Sequence, residues 1–93
     1  MYGRVLKQFK EAVRFRNYIV TIHAVEEMDD DGFSIYEVEH CILHGDIVER
    51  QKDEKSIEWK YLLNGTTFQE RGICVVAKMS ITGKMVIITV YAL

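Results

Sequence analysis

Few residues in this 93-residue chain have side chains suited to acid–base chemistry, and His23 is the first of them. It follows Thr21, a residue type that often caps helices, so we expect the imidazole at or near a helix N-terminus. The helix dipole there favours a neutral imidazole, which can accept a proton. A histidine that only hydrogen-bonds a loop is the simpler alternative.

Two hydroxyl groups near the end of the chain form the second candidate. Thr89 and Tyr91 interrupt an apolar run and are two residues apart, so they share one face if the run is a strand. A hydroxyl within a buried strand needs a partner, and two hydroxyls that face one cleft could bind phosphate oxygens. Both residue types are also favoured in strands for conformational reasons alone.

Three further residues are looser candidates for contact with an anionic substrate. Lys60 and Tyr61 adjoin on a predicted strand, and Arg71 lies in a turn before the next strand, where a cation could contact phosphate. The alternative for these charges is a solvated position that guards a strand edge or a loop. Trp59 is interpreted as a core residue rather than as a base-stacking surface.

Metal and disulfide chemistry have weaker support. His40 and His44 are four residues apart, a spacing that can bind a metal on one helix face, but the sequence offers no third ligand. Cys41 and Cys74 are far apart and lie in apolar runs, which predicts buried free thiols. We therefore expect no metal or other cofactor.

Helices come first among the elements that must position these residues. Apolar residues recur with helical spacing from Gly3 to Phe15, which predicts an amphipathic helix with a largely basic outer face. The β-branched segment from Tyr18 to Ile22 is expected to be extended. A second helix should begin at Thr21 or Ile22 and end in the acidic turn before Gly32.

The third helix has the most specific start signal, and strands follow it. Ser34 with Glu37 three residues later predicts a capping box, and Gly45 should end the helix. The apolar spacing then changes to two, and Asn64-Gly65 predicts a turn. Helices followed by about four strands predict an α+β domain, with the N-terminal helices packed on one face of an antiparallel sheet.

Length and composition limit the class of protein. A chain of 93 residues should form one domain, spanning residues 1–93. The net charge of −2 argues against binding nucleic acid through overall charge, although the separation of basic and acidic stretches predicts a bipolar surface. The chain opens with no signal peptide and contains no apolar run of membrane-spanning length, so we expect a cytoplasmic protein without a membrane partner.

Taken in order, these blocks resemble the family called domain of unknown function 4258. The resemblance covers residues 18–92 and leaves the first helix, residues 1–17, outside the motif region. The matching positions are His23-Ala24, Met28, Gly32-Phe33, Val38, His44-Gly45, Tyr61, Gly65, Val75-Val76 and Thr89-Val90-Tyr91. That family is similar to the RelE- and barnase-like small ribonuclease toxins, so the resemblance implies a RelE/barnase-like fold.

The resemblance also implies metal-independent cleavage of RNA. A base takes the 2′-hydroxyl proton, the oxygen attacks the phosphate, and cations or hydroxyls stabilise the charge. His23 would be the acid/base, and Thr89 and Tyr91 would line the phosphate site. The looser substrate-binding candidates are Lys60, Tyr61 and Arg71. The implied partners are RNA and a cognate antitoxin protein.

One departure from the family pattern bears on this activity. The family usually carries basic residues on either side of the helix methionine, whereas Glu27 and Asp31 flank Met28 here. Carboxylates near a phosphate site repel the substrate. Either the chain is a degenerate, non-cleaving member, or these positions face solvent away from the site.

A non-catalytic interaction module is the alternative function. It is favoured by the acidic stretch from Glu26 to Asp31 and by the negative net charge. Such a module would bind a partner tightly or form a homodimer, because exposed strand edges invite pairing. A regulatory metal binder that uses His40 and His44 is a third hypothesis.

Overall fold

The computed structural model describes all 93 residues and contains three helices and five strands. In chain order the elements are α1 (Gly3–Arg14), β1 (Tyr18–Val20), α2 (Ile22–Asp31), α3 (Ile35–His44), β2 (Asp46–Lys52), β3 (Trp59–Thr66), β4 (Gly72–Met79) and β5 (Met85–Ala92). The predicted α+β class and the order of helices before the main strands are confirmed. None of the three helices has the length and apolar character needed to cross a membrane.

The helix boundaries follow the capping residues seen in the sequence. The Thr21 hydroxyl accepts a hydrogen bond from the Ala24 backbone N–H at 3.1 Å, which starts α2 at Ile22. Gly32 ends that helix with φ 73°, a left-handed conformation that glycine adopts without strain. Ser34 and Glu37 form the predicted capping box at the start of α3.

The sheet differs from the prediction in its strand count and in the direction of one strand. Its order is β1-β5-β4-β3-β2, and β1 pairs parallel to β5, with Tyr18 opposite Met85 and Val20 opposite Ile87. The sheet is therefore mixed and has five strands, not about four antiparallel ones. The sequence predicts that Tyr18 to Ile22 is extended, and β1 lies within that segment. Its pairing with β5 joins residues that are far apart in the chain, which local patterns cannot reveal.

The Asn64-Gly65 pair lies inside β3 and does not form the predicted turn. The strand continues to Thr66, and the chain turns at Thr67, whose N–H donates to the Arg71 carbonyl at 2.9 Å. Glycine fits position 65 because space is short there: a Cβ atom would lie 3.0 Å from Cys41 Sγ and 3.3 Å from the Gly45 Cα. The helix layer thus packs unusually close to β3 at this point.

The two faces of the sheet have different surroundings. All three helices contribute buried residues to one core, together with one face of β3, β4 and β5. A bulge at Ile88 lets both Ile87 and Val90 face this core, and it leaves Thr89 and Tyr91 opposite Val76 and Cys74 on the other side. We call that other side the open face; it is formed by Glu49, Lys60, Leu62, Cys74, Val76, Lys78, Val86, Thr89 and Tyr91.

Candidate functional site

His23 lies in the first turn of α2, as the sequence predicted, and its side chain is 66% exposed. Its Nε2 atom lies 3.2 Å from Oε1 of Glu27, one helical turn further along. A carboxylate in this position orients the imidazole and stabilises the protonated ring when it forms. The pair is accessible to solvent and hence to a substrate.

Glu27 also supplies a hydrogen-bond acceptor to the unpaired edge of β5. Strand β1 ends at Val20, opposite Ile87, so the rest of β5 has no neighbouring strand on that side. The Val90 backbone N–H donates to Glu27 Oε1 at 3.1 Å, and the Thr21 hydroxyl donates to the Ile88 carbonyl at 3.0 Å. Helix α2 therefore takes the place of a strand along this edge.

Sequence reasoning missed this role of Glu27. By sequence alone, we interpret the residue as a departure from the family pattern that is either close to phosphate or facing solvent. In the structure it instead binds the Val90 N–H and lies against His23. The available signal was the four-residue spacing from His23, which places both side chains on one helix face. The hydrogen bond to Val90 left no signal in the sequence.

Thr89 and Tyr91 share the open face, on the strand whose edge Glu27 caps. Interaction with the Cys74 side chain, together with burial, raises the pKa of Tyr91 to about 12. The phenol is therefore protonated at neutral pH and can donate a hydrogen bond. The link from His23 to this strand runs through Glu27 and Val90.

Lys60 lines a cavity of about 370 Å³ on the open face. Thr21, Val86 and Ile88 line the same cavity, so it extends from β3 to the α2 edge of β5. No carboxylate lies within ion-pair distance of the Lys60 ammonium group. Lys60 is thus not ion-paired, although the acidic residues Asp53 and Glu54 line the same cavity.

Lys78, beside this cavity, is neutralised by the loop between β2 and β3. Its Nζ atom lies 2.8 Å from Asp53 Oδ2 and 3.1 Å from Glu58 Oε1. The hydrogen bond from Lys78 and one from the Lys55 backbone lower the pKa of Asp53 to about 2, and the bond to Asp53 raises the pKa of Lys78. The cluster holds the loop against the open face and leaves Lys78 little charge to offer a substrate.

Tyr61 and Arg71 lie apart from the open face. The Tyr61 ring is buried in the core, where it meets Tyr2 and Phe9 edge-on at centroid distances of 5.9 and 5.8 Å. Arg71 Nη2 donates to the Asp31 carbonyl at 3.0 Å, and the guanidinium lies 4.4 Å above the Phe33 ring. Thr89, Tyr91 and Lys60 thus share the open face, whereas Tyr61 and Arg71 do not. Lys60 lies further along that face, and neither Thr89 nor Tyr91 lines the cavity beside it.

The two remaining candidate pairs, His40 with His44 and Cys41 with Cys74, form neither a metal site nor a disulfide. The rings of His40 and His44 lie 4.5 Å apart, with Phe68 against His40, and no three His, Cys, Asp or Glu side chains are grouped to hold a metal ion. Cys41 and Cys74 are buried and free, as predicted. Burial raises the pKa of Cys41 to about 12, which makes this thiol a poor nucleophile.

Fold and site together define a small α+β domain with a histidine–carboxylate pair beside an open sheet face. The family model for domain of unknown function 4258 matches residues 20–92, and the chain belongs to that family. Comparison with curated proteins and with solved structures gave no match.

Proposed function

We propose that the chain is a metal-independent endoribonuclease related to the RelE- and barnase-like toxins. The observation that carries the proposal is the exposed imidazole of His23, held by Glu27 at the edge of the strand that presents Thr89 and Tyr91. An acid/base group and hydroxyl donors on one strand are the parts that phosphoryl transfer to a 2′-oxygen requires. The order of helices before an open sheet supports the proposed relationship.

In the proposed reaction, His23 takes the proton of the 2′-hydroxyl while that oxygen attacks the adjacent phosphorus. The bond from phosphorus to the 5′-oxygen breaks, which leaves a 2′,3′-cyclic phosphate. The leaving 5′-oxygen takes a proton from water to become a hydroxyl, and His23 returns its proton to the solvent. Glu27 stabilises the imidazolium formed in the first step. Thr89, Tyr91 and Lys60 supply donors for the charge that develops on the phosphate oxygens.

A ribonuclease with this role would act in the cytoplasm of a bacterial cell and would need an antitoxin partner to restrain it. The acidic residues of α2 would suit an antitoxin that presents a basic surface. They would also repel RNA from the surface of α2, so the substrate would approach His23 along the open face.

The proposal is tested by incubating purified protein with labelled single-stranded RNA, with and without chelator, beside His23→Ala. We expect chelator-resistant cleavage that falls by about a hundredfold or more in the variant, the usual size of an acid/base contribution. His44→Ala is the matched control, since it removes an exposed helix histidine away from the open face. Equal cleavage by wild type and His23→Ala, or none by either, contradicts the assignment.

A non-catalytic interaction module is the second candidate, and one observation favours it. The outer edge of β2 is free over its whole length of 7 residues, and most of its side chains are exposed. Such an edge can pair with a second copy of the chain or with a partner's strand. Light scattering of purified protein tests self-association, and a strictly monomeric protein that retains no partner counts against this function.

A further inference from the structure

The exposed indole of Trp59 lies against two cations of the neighbouring strand, beyond the part of the sheet that Tyr2 and Phe9 cover. We propose that Trp59, Arg50 and Lys52 form a subsite that stacks one base of single-stranded RNA and binds the adjoining phosphates. This inference takes from the proposed function only that RNA is the ligand, and it concerns binding, not cleavage.

The register of β2 and β3 brings the three residues together. Lys52 is opposite Trp59, and Arg50 is opposite Tyr61, so all three side chains share the helix side of the sheet. The Arg50 guanidinium carbon lies 4.2 Å from the Trp59 ring centroid, and Lys52 Nζ lies 5.2 Å from it. These distances are within the range of cation–π attraction.

Exposure distinguishes Trp59 from the core residue that the sequence predicted. Its neighbour on the same face, Tyr61, is covered by Tyr2 and Phe9, whereas Trp59 is 39% exposed. Because the Arg50 guanidinium already lies over the indole, a base would stack on the exposed part of the ring or on the guanidinium plane itself.

The charges nearest the ring favour a polyanion, although the net charge is −2 and helices α2 and α3 on this side are acidic. Neither Arg50 nor Lys52 has a carboxylate within ion-pair distance. Helix α1 packs on the same side through Phe9, and none of its charged residues is ion-paired. The first 17 residues carry five cations and one acid: Arg4, Lys7, Lys10, Arg14, Arg16 and Glu11.

The ring and the charges together favour RNA over an acidic peptide. A peptide carboxylate would use the two cations but would gain little from a flat exposed ring, whereas a nucleotide uses both. The subsite lies on the opposite face from Thr89, and β3 is two strands from β5, roughly 10 Å across. It would therefore hold a segment of RNA away from the bond that is cleaved.

Trp59 is the only tryptophan of the chain, so its fluorescence reports on this ring alone. We would titrate the full-length protein with a ten-nucleotide 2′-O-methyl oligoribonucleotide, which cannot be cleaved, and with an abasic oligomer of equal length. Stacking predicts quenching by the first and little by the second. With labelled oligomer and anisotropy, Trp59→Ala should weaken binding by about 5- to 150-fold.

Two variants test the charges and the specificity of the ring. The double substitution Arg50→Gln, Lys52→Gln should lower the slope of log K against log salt by about 1.4, since single strands lose about 0.7 per phosphate contact. Tyr36→Ala removes an exposed aromatic ring from α3 and should leave binding unchanged. Thermal melts confirm that every variant is folded.

The proposal is overturned by equal affinity for the abasic oligomer, by unchanged affinity in Trp59→Ala, or by polyglutamate competing as well as the oligomer. The last result would assign the surface to an acidic protein partner. His23→Ala should keep full affinity for the 2′-O-methyl oligomer. Loss of cleavage therefore tests the proposed function, and loss of oligomer binding tests the Trp59 subsite.

Discussion

The carboxylate of Glu27 has two partners: it lies 3.2 Å from the His23 imidazole and accepts a hydrogen bond from the Val90 N–H on the edge of β5. The same atom therefore connects the proposed acid/base group to the fold. The family resemblance implies a cation at this position, and the Val90 N–H gives the acceptor found here a structural reason. The sequence comparison alone could only describe the change as unfavourable to phosphate.

Removal of this carboxylate should destabilise the fold. We expect Glu27→Ala to lower the free energy of unfolding by about 1–2 kcal/mol, because the Val90 N–H loses a charged acceptor. Glu27→Gln keeps an acceptor and should cost less. His23→Ala should change stability by under about 0.5 kcal/mol, since the imidazole is largely exposed. Urea unfolding checks the series, and a stable Glu27→Ala variant would refute the edge-capping role.

Asp53 gives the stability a pH dependence. Its pKa falls from 3.8 to about 2 on folding, so its contribution is complete above about pH 4 and is lost as the pH falls through about 2. The difference in Tm between wild type and Asp53→Asn should be constant from about pH 5 to 7 and shrink between about pH 4 and 2. Circular dichroism melts measure it, with Asp30→Asn, an exposed acid without an ion pair, as control.

At the scale of elements, close packing between α3 and β3 explains why glycine occupies two positions. At Gly45 a Cβ atom would lie 2.5 Å from the Asn64 carbonyl oxygen and 2.6 Å from that of Cys41. Both obstacles are backbone atoms, which cannot move aside as a flexible side chain can. Gly65 meets the same interface from the strand.

A matched pair of glycine substitutions tests this packing. Gly45→Ala should destabilise the protein by about 1–3 kcal/mol or more, the range of overpacked sites. Gly3→Ala should be neutral or stabilising by up to about 1 kcal/mol, because nothing lies within 4 Å of the added Cβ and alanine is the better helix former. Equal unfolding free energies for the two variants would contradict the close approach.

At the scale of the whole molecule, the first helix belongs to the same core as the family region. The family match begins at residue 20, yet α1 contributes Phe9, Ala12 and Val13 to the buried cluster. Strand β1 joins the last strand of the chain in the sheet. The chain should therefore unfold as one unit.

Two phenylalanines on α1 test this unity. Phe9→Ala should lower the free energy of unfolding by about 3–5 kcal/mol, because it opens a cavity against Tyr61 in the shared core. Phe15→Ala should stay within about 0.5 kcal/mol, since Phe15 is 79% exposed. Chemical denaturation followed through Trp59 would detect a separate early transition if α1 unfolded independently.

The sequence by itself determined the helices, their caps, the α+β class and the family, because these depend on spacing and on contacts within a few residues. Only the tertiary structure decided the parallel pairing of β1, the role of Glu27 and the separation of Tyr61 and Arg71 from the open face. It also moved Trp59 from the expected core to the surface. Each of these depends on contacts between residues far apart in the chain, and a local sequence pattern does not specify which distant residues it will contact.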